Sequence, residues 1–342
     1  MRKIKTWVAL LLAMVMLLSC GVLTASADDT LTLIIKAEFK YDEARSMLKQ
    51  INELRKGKDA WYWSEDDKTK VQCAGLKDLE YDYELEATAM KRAMELAAHF
   101  SHTRPNGSSC FTAFPNSTGT KGENVAYGFG SAKTAFDAFA EADKSYAGQG
   151  HRRNMLRKEF TKVGIGAVKV GNVVYWAQAF GSGAANKSDK YRLKENQIKA
   201  SSQVISSSIR NSGTDSDEIE LAFKESAKLP NVVISSSSGA RLTVQGLTWK
   251  SENDKVAKVK KNKVTAGKKK GKTNLVTTVA GMTIKVSVNV VKKKADSAKG
   301  ETLDIEDYDT PLAADIVFAM ENDECFEKPM SIILYPFQFW LK

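Results

Sequence analysis

Two alternating apolar runs, residues 163–170 and 173–180, are joined through Gly171-Asn172. Apolar side chains at every second position suit one face of a strand, and a two-residue Gly-Asn link folds two such runs into an antiparallel β-hairpin. Upstream the period changes. Residues 41–55 place Ala44, Met47, Leu48, Ile51 and Leu54 at helical spacing, with Asp42 and Glu43 in the first turn, where the helix dipole favours acids. Residues 82–98 repeat the helical pattern with Leu85, Ala89, Met94 and Leu96, and residues 131–144 with Phe136 and Phe139. Trp61-Tyr62-Trp63 lies between the first two helices. It reads as a surface loop pinned to the core by its rings, with a ligand platform as the rival reading.

After Gly181-Ser182-Gly183 the composition changes. Residues 184–215 are rich in Ser, Lys and Asn and read as a flexible linker. Residues 216–291 read as an all-β unit, with short alternating strands at 241–244, 247–249, 256–259, 263–265, 274–279 and 282–291. Expectation assigns this unit independent folding. Its stretch LTWKSENDKVAKVKKNKVTAGKKKGKTNLVTTVAG resembles the second half of a group 2 bacterial immunoglobulin-like domain, which implies a small immunoglobulin-like sandwich with an adhesive or spacer role. Lys250 to Lys294 holds fourteen lysines against Glu252 and Asp254, in a chain of net charge +10. Such a surplus favours an anionic cell-wall polymer. Nucleic acid is not expected, because no arginines or aromatics interleave with those lysines. The tail, 292–342, is acidic at 301–309 and apolar near its end, and is expected to be disordered.

The first residues speak for export. Arg2, Lys3 and Lys5 precede an apolar run and Ala25-Ser26-Ala27, the pattern of a signal peptide over residues 1–27. The alternative is lipidation at Cys20, which would bring membrane contact. In an exported chain Cys73 and Cys110 are expected to form a disulfide. The competing reading makes Cys110, near His102, the nucleophile of a Cys-His protease.

All three histidines, His99, His102 and His151, fall in one window together with Glu123. Two imidazoles and a carboxylate in one cleft can hold a divalent metal or move protons near neutral pH. His99 closes a helical pattern and reads as a packing or surface residue. His102 precedes Thr-Arg-Pro-Asn-Gly, a turn sequence, and loop positions carry function more often than element interiors do. His151 could simply begin the next helix.

Together, FSHTRPNG around His102, GENVAYG around Glu123, GHRRNML around His151 and the strand VVYWAQ at 173–178 resemble the bacterial branch of the CAP superfamily, which holds the cysteine-rich secretory, antigen 5 and pathogenesis-related proteins. The resemblance covers about residues 38–183. It implies an α+β fold, a three-layer α-β-α sandwich, with a cleft of two His and, in many members, two Glu. These map to His102, His151 and Glu123, with Glu141 near the place of the second Glu, although Phe139 stands where a Trp is usual. The implied function is a secreted, extracellular or cell-wall-associated protein that binds a divalent cation, zinc or calcium, through His102 and His151, or another extracellular ligand. No established catalytic activity follows. A His/Glu- or metal-dependent extracellular hydrolase and a purely adhesive surface protein are the two rivals.

Overall fold

The computed structural model describes residues 30–292 and the backbone of Val317–Met320. The signal-peptide stretch, Cys20, Cys325 and the rest of the tail lie outside the described residues. In chain order the first part runs β1 (Thr30–Ile34), β2 (Ala37–Phe39), α1 (Tyr41–Lys56), β3 (Trp61–Trp63), β4 (Lys70–Gln72), β5 (Glu80–Tyr81), α2 (Tyr83–Leu96), β6 (Lys121–Tyr127), α3 (Ala132–Ala140), α4 (Gly150–Leu156), β7 (Lys162–Val170) and β8 (Val173–Gly181).

The expected hairpin is present. β7 and β8 pair antiparallel from Lys162↔Gly181 to Val170↔Val173, turning at Gly171, which takes φ +59°. Both strands are buried along nearly their whole length, so helices must cover both faces. α2 lies against one face. Its backbone comes so close that a Cβ on Gly164 would sit 2.0 Å from the Leu85 carbonyl carbon, and one on Gly166 2.3 Å from that of Ala89. Only glycine permits this approach. The other face belongs to α1 and α4: Gln178, which shares its face with Ile165, reaches the sulfurs of Met47 and Met155. β6 pairs with β8 on the side away from β7. The helices follow the sequence reading closely. Asp82 caps α2 by accepting from the backbone N–H groups of Glu84 and Leu85. α3 is the exception. It stops at Ala140, four residues short of the expected end, because Glu141 takes φ 45°, ψ 35°, a left-handed conformation that ends the helix.

The remainder runs β9 (Gln197–Ser201), α5 (Ser202–Ser206), β10 (Ile209–Thr214), β11 (Glu218–Ala222), β12 (Ser226–Lys228), β13 (Val232–Ser236), β14 (Arg241–Gln245), β15 (Lys250–Ser251), β16 (Ala257–Lys260), β17 (Lys263–Ala266), β18 (Gly271–Val279), β19 (Met282–Val291) and β20 (Val317–Met320). This region is sheet-rich, as expected. Two expectations need correction. Residues 184–215 are not a free linker, because β9, α5 and β10 lie within them. Ile198, Ala200 and Ile205 are buried there, and their spacing was masked by the serines and lysines around them. Nor does the 216–291 unit close its own sheets. β13 and β14 join a five-stranded sheet in the order β10-β13-β14-β1-β9, so the N-terminal strand sits between β14 and β9 with Leu31 and Leu33 buried. This sheet also packs on the first part. The Tyr175 hydroxyl donates to the Ser238 carbonyl at 2.8 Å, and the Ser201 N–H donates to the Pro105 carbonyl at 2.8 Å.

Candidate functional site

The sheet face covered by α2 carries a buried charge network. Arg92 lies on the apolar stripe of α2, in step with Leu85, Ala89 and Leu96, and is fully buried. Its guanidinium donates to Glu123 at 2.7 Å, to Glu95 at 2.7 Å and to the Ser101 carbonyl at 2.7 Å. Arg104 completes the charge balance by donating to Glu95 at 2.7 Å. A buried carboxylate is tolerated when it is paired and hydrogen-bonded in this way. Burial alone would raise the Glu123 pKa, but Arg92 and then His102 outweigh it and hold the carboxyl at about 2. The Ser101 contact fixes the start of the loop after α2, and Gly107, at φ +86°, turns the expected Pro-Asn-Gly corner. His102 is thereby placed with Nδ1 2.7 Å from Glu123.

The second half of the site is built on α4. Glu141, left-handed at the end of α3, accepts from the His151 backbone N–H at 3.0 Å and pairs with its Nδ1. Gln149 ties this corner to the aromatic hairpin: its amide donates to the Glu141 carbonyl at 3.0 Å and its oxygen accepts from the Trp63 N–H at 2.7 Å. Trp61 is buried beneath the Arg152 guanidinium, 4.8 Å from the ring centroid, so the rings act as a buttress for α4. Asn124 joins the halves, donating to the His151 carbonyl at 3.1 Å and to Gln178 at 2.8 Å, and accepting from Asn154 at 2.8 Å. Burial pushes the His151 pKa below its usual value despite Glu141, and His102 adds to the lowering.

A carboxylate oxygen accepts, so each imidazole donates from Nδ1 and leaves Nε2 as the ring nitrogen turned away from the carboxylate. Both Nε2 atoms are buried and have no hydrogen-bond partner among the described residues. All four residues of the expected cleft, His102, Glu123, His151 and Glu141, are thus assembled as two carboxylate–histidine units. His99 is not part of it; its Nδ1 bonds the Ser208 hydroxyl at 2.7 Å, fastening the end of α2 to the second region. Sequence reasoning missed Arg92, Glu95 and Arg104. The available signal was a charged residue at an apolar helix position, which demands an opposite charge inside.

The expected Cys73–Cys110 disulfide is absent; both are free thiols. They have different surroundings. Cys73 follows β4 on a groove lined by Tyr62, Tyr146 and Arg157. Cys110 is buried in a short 3-10 turn beside His102, whose carbonyl accepts its N–H at 2.9 Å. Burial and then Glu123 push the Cys110 thiol far up, the opposite of an activated nucleophile. His102, Cys110 and Glu123 bring ligand atoms within 4.8 Å of one another, a group that could hold a metal.

Residues 48–180 match the family described as the cysteine-rich secretory protein family, CAP. The uncharacterized protein YkwD of Bacillus subtilis strain 168 is 32% identical over 114 residues, which is 32% of this chain and 41% of that protein. The chain thus spans less than half the length of this curated relative. Among solved structures, an outer surface protein of Borrelia burgdorferi aligns at 19% identity with TM-score 0.34, covering 44% of this chain and 100% of that one. NaASP2 with Zn2+ aligns at 21% identity with TM-score 0.30, covering 43% and 87%.

Proposed function

With residues 48–180 a CAP domain, we propose that this domain binds a divalent cation between His102 and His151 and presents it to an extracellular ligand. One observation carries the reading: two buried imidazoles whose Nδ1 atoms are held by Glu123 and Glu141 while both Nε2 atoms lack a partner among the described residues. A histidine that donates one nitrogen to a carboxylate and offers the other is the usual arrangement of a metal ligand and its support. Nitrogen donors favour zinc over calcium, which prefers oxygen. The alternative ligand set of His102, Cys110 and Glu123 fits less well. Glu123 is already ion-paired with Arg92, whose positive charge opposes a cation, and Cys110 would first have to lose a tightly held proton. Bound zinc would act as a Lewis acid toward an oxygen-bearing ligand. The Cys-His protease reading is weaker, since the thiol nearest the histidines is held protonated.

Export, from the signal-peptide pattern of residues 1–27, and attachment through the lysine-rich region to an anionic wall polymer complete the proposal. Calorimetry with zinc on the parent chain and on His102→Ala/His151→Ala tests the metal site. Two neutral imidazoles make an incomplete zinc site, so weak binding is expected in the parent and none in the double variant. Equal affinity in the two would remove the pair as ligands.

A further inference from the structure

Glu123 and Asn124, consecutive on β6, face opposite sides of the sheet: Glu123 bonds Arg92 on the α2 side and Asn124 bonds Gln178 on the α1 and α4 side. Glu123 bonds His102 and Asn124 bonds the His151 carbonyl, so both histidine units are tied to adjacent residues of β6, a strand with one edge turned away from β8. A sheet edge offers unpaired backbone N–H and C=O groups and takes up an extended chain readily. That edge of β6 is filled in this structure. β20 pairs antiparallel with it, from Val317↔Ala126 to Met320↔Glu123, and its backbone also runs alongside α4, which carries His151. His102 and His151 are buried, at 4% and 1% exposure, although their Nε2 atoms have no hydrogen-bond partner among the described residues.

We propose that the outer edge of β6 is a peptide-accepting edge and that the chain's own residues 317–320 occupy it, closing the histidine cleft from within. Strand addition supplies the affinity through main-chain hydrogen bonds, so the edge accepts an extended peptide with little demand on side chains. Access to the cleft then requires release of the tail strand. Only this consequence rests on the metal-binding reading; the strand pairing does not, and the following test involves no metal.

Phe318→Pro/Ala319→Pro in the full chain removes two consecutive N–H donors. Ladder donors alternate along an antiparallel strand, so one of the two must face β6. Amide hydrogen exchange of the variant is expected to speed at least tenfold at the amides of Lys121–Tyr127 that point away from β8, and to stay slow at those bonded to β8. Carbethoxylation of His102 and His151 should quicken several-fold while His99 keeps its rate. Unchanged exchange along β6 overturns the proposal. A second measurement avoids any damage that the prolines cause. A nitroxide on Cys325 of the Cys20→Ser/Cys73→Ser/Cys110→Ser chain should broaden the amide resonances of residues 123–126, and full-intensity signals there would overturn the proposal independently.

Discussion

Glu123 sits between two donors of different kinds, accepting from the Arg92 guanidinium at 2.7 Å and from His102 Nδ1 at 2.7 Å. The first contact fixes its charge and the second spends that charge on orienting an imidazole. Arg92 thus acts on the site through Glu123, and the stability of the domain and the geometry of the cleft depend on one carboxylate.

Replacing Glu123 with Gln leaves Arg92 buried with only Glu95 as an acidic partner. Removing one member of a buried pair typically costs about 3–5 kcal/mol, and urea unfolding should show a loss of that order. The pH dependence follows from the depressed pKa. The unfolded chain, with an ordinary carboxyl near 4.3, takes up its proton before the folded protein does. The stabilisation is therefore complete above about pH 5 and fades as the pH falls toward 2. The parent should lose stability over that window more steeply than Glu123→Gln. Parallel slopes would mean that the carboxylate is not held down. His151 adds a second slope. Its lowered pKa makes the unfolded chain protonate first, so its contribution is present above about pH 6.5 and declines below it.

Glu141 shows a conflict between backbone and side chain. A left-handed non-glycine residue costs of order 1–3 kcal/mol, and here it lets the carboxylate reach His151. Glu141→Gly relieves the backbone but releases the imidazole. Zinc affinity is expected to fall about 10- to 100-fold, the usual effect of losing a ligand's supporting group. The thermal midpoint should change little, because relief and loss offset one another. Calorimetry alongside scanning calorimetry checks both, and undiminished affinity would show that Glu141 does not position His151.

The hairpin, the helices and the His102–Glu123 pair were legible in the sequence because each has a local signature: a Gly-Asn turn, a 3.6-residue stripe, a recognisable motif. The end of α3 was not, since the helical pattern continues through Glu141 and only the demand of His151 breaks it. The strand pairing of 30–34 with 197–201 was invisible for another reason. Between 163 and 171 residues separate the partners, and strand propensity does not say which edge a strand will find. The missing disulfide shows the limit of compartment reasoning: it constrains cysteine chemistry in general but not the geometry of two particular thiols.

The central place of β1 can be tested directly. Leu33 is fully buried in the strand between β14 and β9. Leu33→Ala should destabilise by about 2–5 kcal/mol, the range for a buried Leu whose cavity collapses poorly. Hydrogen exchange should quicken in both β9 and β14, since each pairs with β1. A variant that opened neither strand would leave the N-terminal strand peripheral.

The lysine-rich region makes the last expectation one about salt. The described lysines of 250–292 are exposed, among them Lys255, Lys258, Lys260, Lys261 and Lys263 on or beside β16 and β17. Two of the group meet acids, Lys272 with Glu218 at 3.5 Å and Lys285 with Glu252 at 2.8 Å, which leaves a large positive surplus. Exposed charges act over about one Debye length, roughly 8 Å at physiological salt, and over less as salt rises. Retention on isolated Gram-positive walls should therefore be strong at low salt and fall steeply across a salt series. The chain used must keep residues 30–34, because without β1 the five-stranded sheet loses the strand between β14 and β9. Retention that persists at high salt would point to a shaped pocket instead. A chain that fails to bind at any salt would leave the lysines a solubilising surface, and the histidine cleft as the binding site of the described residues.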